Sequence, residues 1–239
     1  MKLDLHAHSS GISHCCRIPA ETVLSFAKNI DLDGIVLTNH YTKYYVRDDD
    51  AEAFARAYIA EYEYAKALGD EMGIKVFFGV EVTWEESTNV HILLYGVSPE
   101  FVLSHPRMYE YSQKALYEAV KAAGGAMIQA HPYRNGATVL DTRYLDGLEI
   151  NCHPLYEKSH AEKLIAIAQR EGLIVTCAGD FHADTYRPIS ATHIPDSVTN
   201  EAEIANFLLT ASRVELLIHE PLTARPYRYQ YFRDGKFNI

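Results

Sequence analysis

The segment DLHAHSSGISH, residues 4–14, decides how the chain is read. It begins as a strand: apolar and polar residues alternate through KLDLHAH, and His6 and His8, two apart, project from one face. His14 follows from the adjoining loop. A lone histidine at a strand end is more often solvated or hydrogen-bonded in place than a ligand. Three within nine positions are chance or a site, and partners elsewhere in the chain decide which.

At 239 residues, the length fits one large domain covering 1–239, the size at which α/β barrels form as a unit. Hydrophobic residues at 48% and charged residues at 23% place the chain among folded globular proteins rather than disordered ones. No apolar run approaches the roughly eighteen residues that span a bilayer. The start, MKLDLHAHSS, has no signal-peptide core, so a cytoplasmic location with no membrane partner is expected. A net charge of −10, without a stripe of Lys and Arg, argues against nucleic acid as partner but leaves a small anionic ligand open. Cys15, Cys16, Cys152 and Cys177 form no CxxC pair and read as reduced thiols. Cys15 and Cys16 lie beside His14, which leaves a minor metal or redox role open.

Strand-like and helix-like segments alternate. Strands are expected at KLDLHAH, DGIVLTNH, IKVFFGVEV, VHILLYGV, AMIQAHP, GLEINC, LIVTCAGDFH and RVELLIH. Helices are expected after Pro19, over 48–72, from about Met108 to Gly124, around 160–170 and near 201–209, and 184–199 reads as a loop. About seven βα units imply a mostly parallel sheet, closed into a barrel more readily than left open.

The metal-binding residue types fall at the strand ends. His40 ends LTNH, Glu81 lies in GVEV, His131 precedes Pro132 in AHP, and Asp180 and His182 repeat the two-residue spacing in AGDFH. His91 differs in opening its strand. The C-terminal strand ends of an α/β barrel share one mouth. Imidazoles and carboxylates gathered there suit Zn, Mn or Fe.

In this order, DLHAHSS…H, LTNH, GVEV, HILLYG, AHP and GDFH resemble the PHP (polymerase and histidinol phosphatase) superfamily across residues 3–182. HxH alone would be weak, whereas the ordered set is specific. The resemblance implies a distorted seven-stranded, TIM-like (β/α) barrel with up to three divalent ions. His6, His8 and Asp180 would hold one ion, and Glu81 would bridge it to a second completed by His91 and His131. His14, His40 and His182 would hold the third. Asn39 stands where the family more often has Asp.

The resemblance further implies a metal-dependent phosphoesterase. Water activated between ions bridged by Glu81 would attack a phosphate monoester of a small metabolite, histidinol phosphate being one candidate. Arg134 and Arg17 are candidates to bind phosphate, or ordinary surface arginines. Tyr41, Tyr44 and Tyr45 either wall the substrate pocket or pack at its rim. A nuclease or oligonucleotide phosphatase is the alternative within the same chemistry, and a non-catalytic metal-binding module is the alternative outside it. Oligomeric state carries no sequence signal.

Overall fold

A computed structural model describes residues 1–84, 89–153, 158–183 and 189–234. The strands, in chain order, are β1 (Lys2–Ala7), β2 (Gly34–Leu37), β3 (His40–Tyr41), β4 (Lys75–Thr83), β5 (His91–Tyr95), β6 (Ala126–Gln129), β7 (Gly147–Asn151), β8 (Ile174–Ala178), β9 (Ala191–His193), β10 (Arg213–Ile218) and β11 (Tyr227–Phe232). The helices are α1 (Ala20–Asn29), α2 (Ala51–Met72), α3 (Pro99–Ser104), α4 (Gln113–Ala122), α5 (Ala161–Glu171) and α6 (Glu201–Thr210).

The described residues thus form a sheet of eleven strands, not seven. The eight strand segments expected from the sequence omitted β3, β9 and β11. Neighbours run β1, β2, β4, β5, β6, β7, β8, with β3 in line with β2 and paired to β4. A parallel bridge between Ala7 and Phe181, with the His8 amide donating to the Phe181 carbonyl at 3.3 Å, brings the far end of this path back to β1 and nearly closes the sheet. The remaining three strands, β9, β10 and β11, form an antiparallel extension on the other side of β1. The segment 184–199, read as a loop, contains β9, and its residues 184–188 lie outside the described residues.

The sheet is not uniformly parallel. β5 is antiparallel to both β4 and β6. Its first residue, His91, therefore lies level with the last residues of its neighbours, opposite Thr83 of β4. That reversal explains why one candidate ligand opens its strand while the others close theirs.

The helices are set by local chemistry. Asp50 caps α2 by accepting from the Ala53 amide at 2.8 Å, and Gly73 ends it in the left-handed conformation that glycine adopts without steric cost. Its buried stripe of Phe54, Tyr58, Tyr62 and Ala65 lies against the sheet. Gly69 lets the helix approach β4 closely, since a Cβ there would lie 2.6 Å from Val76 Cγ2. The helix expected from Met108 begins at Gln113 instead. Ser112 caps it, accepting from the Ala115 amide at 3.2 Å, and Met108 and Tyr109 are buried in the turn before it. Among the described residues, no helix is long and apolar enough to cross a membrane.

Two buried polar side chains brace the mouth. Asp4 Oδ1 accepts from the amides of His6 and Gly179 at 3.0 and 3.1 Å, tying β1 to the turn after β8, and burial lifts its carboxyl to about 7. The Tyr58 hydroxyl lies 2.8 Å from the Asn39 carbonyl and 2.9 Å from that of Gly79, pinning α2 to the start of β3 and to β4. Tyr58→Phe leaves a buried carbonyl without its partner and is expected to cost about 1 kcal/mol, lowering Tm by about 2–4 °C in a thermal melt.

Candidate metal centre

Glu81 occupies the middle of the mouth with no solvent exposure. Parallel pairing sets His40 of β3 directly opposite it. Its Oε2 lies 2.6 Å from His40 Nδ1 and 3.4 Å from His8 Nε2. Its Oε1 lies 2.9 Å from His91 Nδ1, 3.1 Å from His6 Nε2 and 3.3 Å from His131 Nε2. Burial pushes this carboxyl up, but His40, His6 and His91 outweigh it and hold it well below the usual carboxylate range.

Asp180 is the second buried carboxylate. Its Oδ1 lies 3.0 Å from His8 Nε2, 3.2 Å from His182 Nδ1 and 3.3 Å from His6 Nε2, and Arg134 Nη1 meets Oδ2 at 2.5 Å. It too is held well below its ordinary value, its burial outweighed by His6, Arg134 and His182. Asp180 and His131 both have left-handed backbone, at φ 54° and 30°, where they leave β8 and β6. Such conformations are strained for non-glycine residues and persist where surrounding contacts impose them.

The outer hydrogen bonds fix the rings. His6 Nδ1 lies 2.8 Å from Glu149 Oε1, so that nitrogen donates to the carboxylate and Nε2 faces inward. Ser13 Oγ donates to Asn39 Oδ1 at 2.8 Å, so His8 Nδ1, 3.2 Å away, must be the donor and His8 Nε2 is left as an acceptor. His182 Nδ1 donates to the Asp180 carbonyl at 2.9 Å, which turns Nε2 toward Cys15 Sγ, 3.2 Å away. The Nε2 atoms of His6 and His8 are buried without a hydrogen bond, although carboxylate oxygens approach them at 3.0–3.4 Å. Close approach without hydrogen-bond alignment is what results when lone pairs aim at a shared point rather than at one another.

These donors form sets whose ligand atoms lie within 4.8 Å of one another: His6–His8–Asp180, His6–Glu81–His131, His40–Glu81–His91, His8–His40–His182 and His153–Asp180–His182. Mixed imidazole and carboxylate sets suit divalent first-row ions. In their absence the carboxylates hold protons on some rings. His40 rises to about 9 and His182 to about 11, because Glu81 and Asp180 respectively outweigh burial. His131 falls to about 3, through burial and the nearby Arg134.

The structure brings together eight of the nine expected ligands: His6, His8, His40, Glu81, His91, His131, Asp180 and His182. His91 and His131 each converge on Glu81, but in separate sets. His14 stands apart. It is exposed, and its ring packs on Tyr45 at 4.2 Å between centroids.

The proposed substrate contacts divide differently. Arg134 grips Asp180 and donates to Asn151 Oδ1 at 2.7 Å, while lining a cavity of about 320 Å³ with His131, Tyr133, Lys158 and His160. Arg17 is exposed, its amide donating to the His182 carbonyl at 3.0 Å. Tyr41 cannot touch substrate, because it has no exposure. Its ring packs among Phe54, Tyr58 and Tyr109, and its hydroxyl donates to the Pro106 carbonyl. Of its companions, Tyr45 reaches the mouth, against His14, and Tyr44 is exposed.

Sequence reasoning missed Glu149. Besides holding His6, it accepts from the His131 amide at 3.0 Å and from Asn151 Nδ2 at 3.2 Å. The signal was present in GLEIN, where two polar residues share one face of an otherwise apolar, fully buried strand. Asn39, flagged where Asp is usual, accepts from the Ser9 amide and Ser13 and donates to Ser9 Oγ, a role that requires its amide.

No protein-family model matches the chain, and no curated protein matches it. Solved structures do. A candidate metal-dependent phosphoesterase from Bifidobacterium adolescentis matches at TM-score 0.54 and 18% identity, over 86% of this chain and 95% of its own. A two-domain protein from Bacteroides vulgatus, containing a predicted PHP-like metal-dependent phosphoesterase, matches at 0.57 and 16%, over 96% of this chain and 64% of its own. An amidohydrolase from Chromobacterium violaceum, with bound sulfate and no metal, matches at 0.55 and 18%, over 77% and 89%. The chain shares its fold with these proteins.

Removing the charge on Glu149 tests the outer layer. Glu149→Gln is expected to weaken divalent-cation binding by about 10–100-fold, measured by calorimetry, with circular dichroism unchanged.

Proposed function

We propose that the protein is a metal-dependent phosphoesterase that hydrolyses phosphate monoesters of small metabolites. The observation that supports it most directly is the convergence of seven imidazoles and two carboxylates at one end of the sheet, in overlapping sets of which four contain Glu81 or Asp180. The shared fold is consistent with it, since two of the similar structures carry phosphoesterase descriptions.

Zinc, manganese or iron ions held by these sets, up to three of them, would supply a water nucleophile active near neutral pH and neutralise phosphate oxygens. Glu81 shares its two oxygens between His6 and His131 on one side and His40 on the other, the position from which one carboxylate serves two adjacent ions. Arg134, anchored by Asp180 and Asn151, edges the 320 Å³ cavity beside His131, where a guanidinium can pair with phosphate oxygens. Arg17, whose backbone amide donates to the His182 carbonyl, is the second candidate cation. Cavities of about 320 Å³, and of about 280 Å³ beside His14 and Arg47, accommodate a small molecule. With a net charge of −10, this favours a metabolite over an oligonucleotide.

The test is phosphate release from a panel of monoesters, nucleotides and short oligonucleotides by metal-stripped protein reloaded with Mn, Zn or Fe. Turnover of a monoester is expected. It should be abolished by chelation, restored by metal, and reduced about 10²–10⁴-fold in Glu81→Gln. Turnover of oligonucleotides alone would replace this reading with a nuclease. Bound metal with no turnover would leave a metal-binding module.

A further inference from the structure

The residue expected to join His40 and His182 is His14, yet its ring is turned outward onto Tyr45. The next residue takes its place. Cys15 Sγ lies 3.2 Å from His182 Nε2, the nitrogen that faces the loop while Nδ1 donates to the Asp180 carbonyl. His182 in turn shares a donor set with His40, their ligand atoms lying within 4.8 Å of each other.

The loop enforces this arrangement. Ser13 donates its amide to the Ser9 carbonyl, Cys16 to Ser13, and Ser10 to Ile18, while the Arg17 amide bonds to His182. A loop so wound presents Cys15 to the mouth. Cys16 faces away, its thiol buried toward the carbonyls of His8 and Ile18 at 3.5 and 3.6 Å. An independent observation points to an absent ligand here. His8 Nε2 is buried without a hydrogen bond, and it belongs to the same set as His40 and His182.

We propose that Cys15 is a thiolate ligand, with His40 and His182, of the third metal position, and that this position prefers zinc to manganese. The inference rests on the metal-centre reading above. On binding, the S–H bond breaks, its proton leaves to solvent and the sulfur lone pair goes to the ion. Thiolate is a soft donor that favours zinc, whereas manganese favours carboxylate and water. The sets formed by His, Glu and Asp contain only nitrogen and oxygen, so a sulfur ligand from Cys15 would distinguish this position from the rest.

Cobalt(II) reports the difference directly, because a thiolate ligand gives it an intense near-ultraviolet charge-transfer band. Metal-stripped protein reloaded with cobalt is expected to show that band in the wild type, in His14→Ala and in Cys16→Ser. Cys15→Ser is expected to lose the band together with one equivalent of cobalt by elemental analysis. A band that survives in Cys15→Ser, cobalt bound without the band in the wild type, or loss of the equivalent in His14→Ala would overturn the proposal and leave the metal centre standing. No cobalt bound by the wild type would overturn both. A second measurement needs no variant. Cys15 is the exposed thiol of the four, so iodoacetamide should label it in metal-free protein, and zinc but not manganese should block the labelling. Equal labelling with and without zinc would also overturn the proposal.

Discussion

A carboxylate with no exposure to water is the constraint on which this mouth depends. An isolated buried charge is costly to desolvate and must be matched by charges or strong donors. Glu81 is matched by five rings, those of His6, His8, His40, His91 and His131, each within 3.4 Å of one of its oxygens. Those rings come from four strands or strand ends, β1, β3, β5 and β6, so the sheet must curve until they meet. The near-closure through Ala7 and Phe181 is therefore part of the same arrangement, for it brings His8 alongside Asp180 and His182.

The reversed strand β5 follows from the same geometry. In a uniformly parallel sheet, His91 would open its strand at the end of the sheet away from the mouth. Run antiparallel, β5 places His91 against Thr83 and within 2.9 Å of Glu81. β4 ends at Thr83, two residues beyond Glu81, and β5 opens at His91, so the chain supplies a carboxylate and then an imidazole for it from adjacent strands.

Much of this was legible because side chains at strand ends have a fixed alternation and a fixed destination. His6 and His8, or Asp180 and His182, can be assigned to one mouth from spacing alone, and the apolar runs between them give the strands. The order of such residues along the chain was enough to suggest the fold. Other features depend on contacts that spacing does not encode. β3 is two residues long, β9 three, and both exist only because a neighbour offers pairing partners. Tyr41 follows His40 directly, yet alternation sends its ring to the opposite face, into the core beside Tyr58. Between His14 and Cys15 the choice lies with loop conformation, in the bonds of Ser13, Cys16 and Arg17, and no periodicity operates there.

The outer hydrogen bonds carry the argument one step further. Glu149 on His6, Ser13 on His8 and the Asp180 carbonyl on His182 each occupy Nδ1, which leaves Nε2 pointing inward. Neutral imidazoles packed for their own sake would gain nothing from this common orientation, and burying Nε2 of His6 and His8 without a hydrogen bond has a cost. Glu81 and Asp180 raise His40 and His182 above the ordinary imidazole range. A divalent ion would offset the carboxylate charge and also give the buried Nε2 atoms of His6 and His8 a partner. The arrangement is thus a framework of charge and orientation that a cation completes, and the aligned rings, more than the number of histidines, are what make it one.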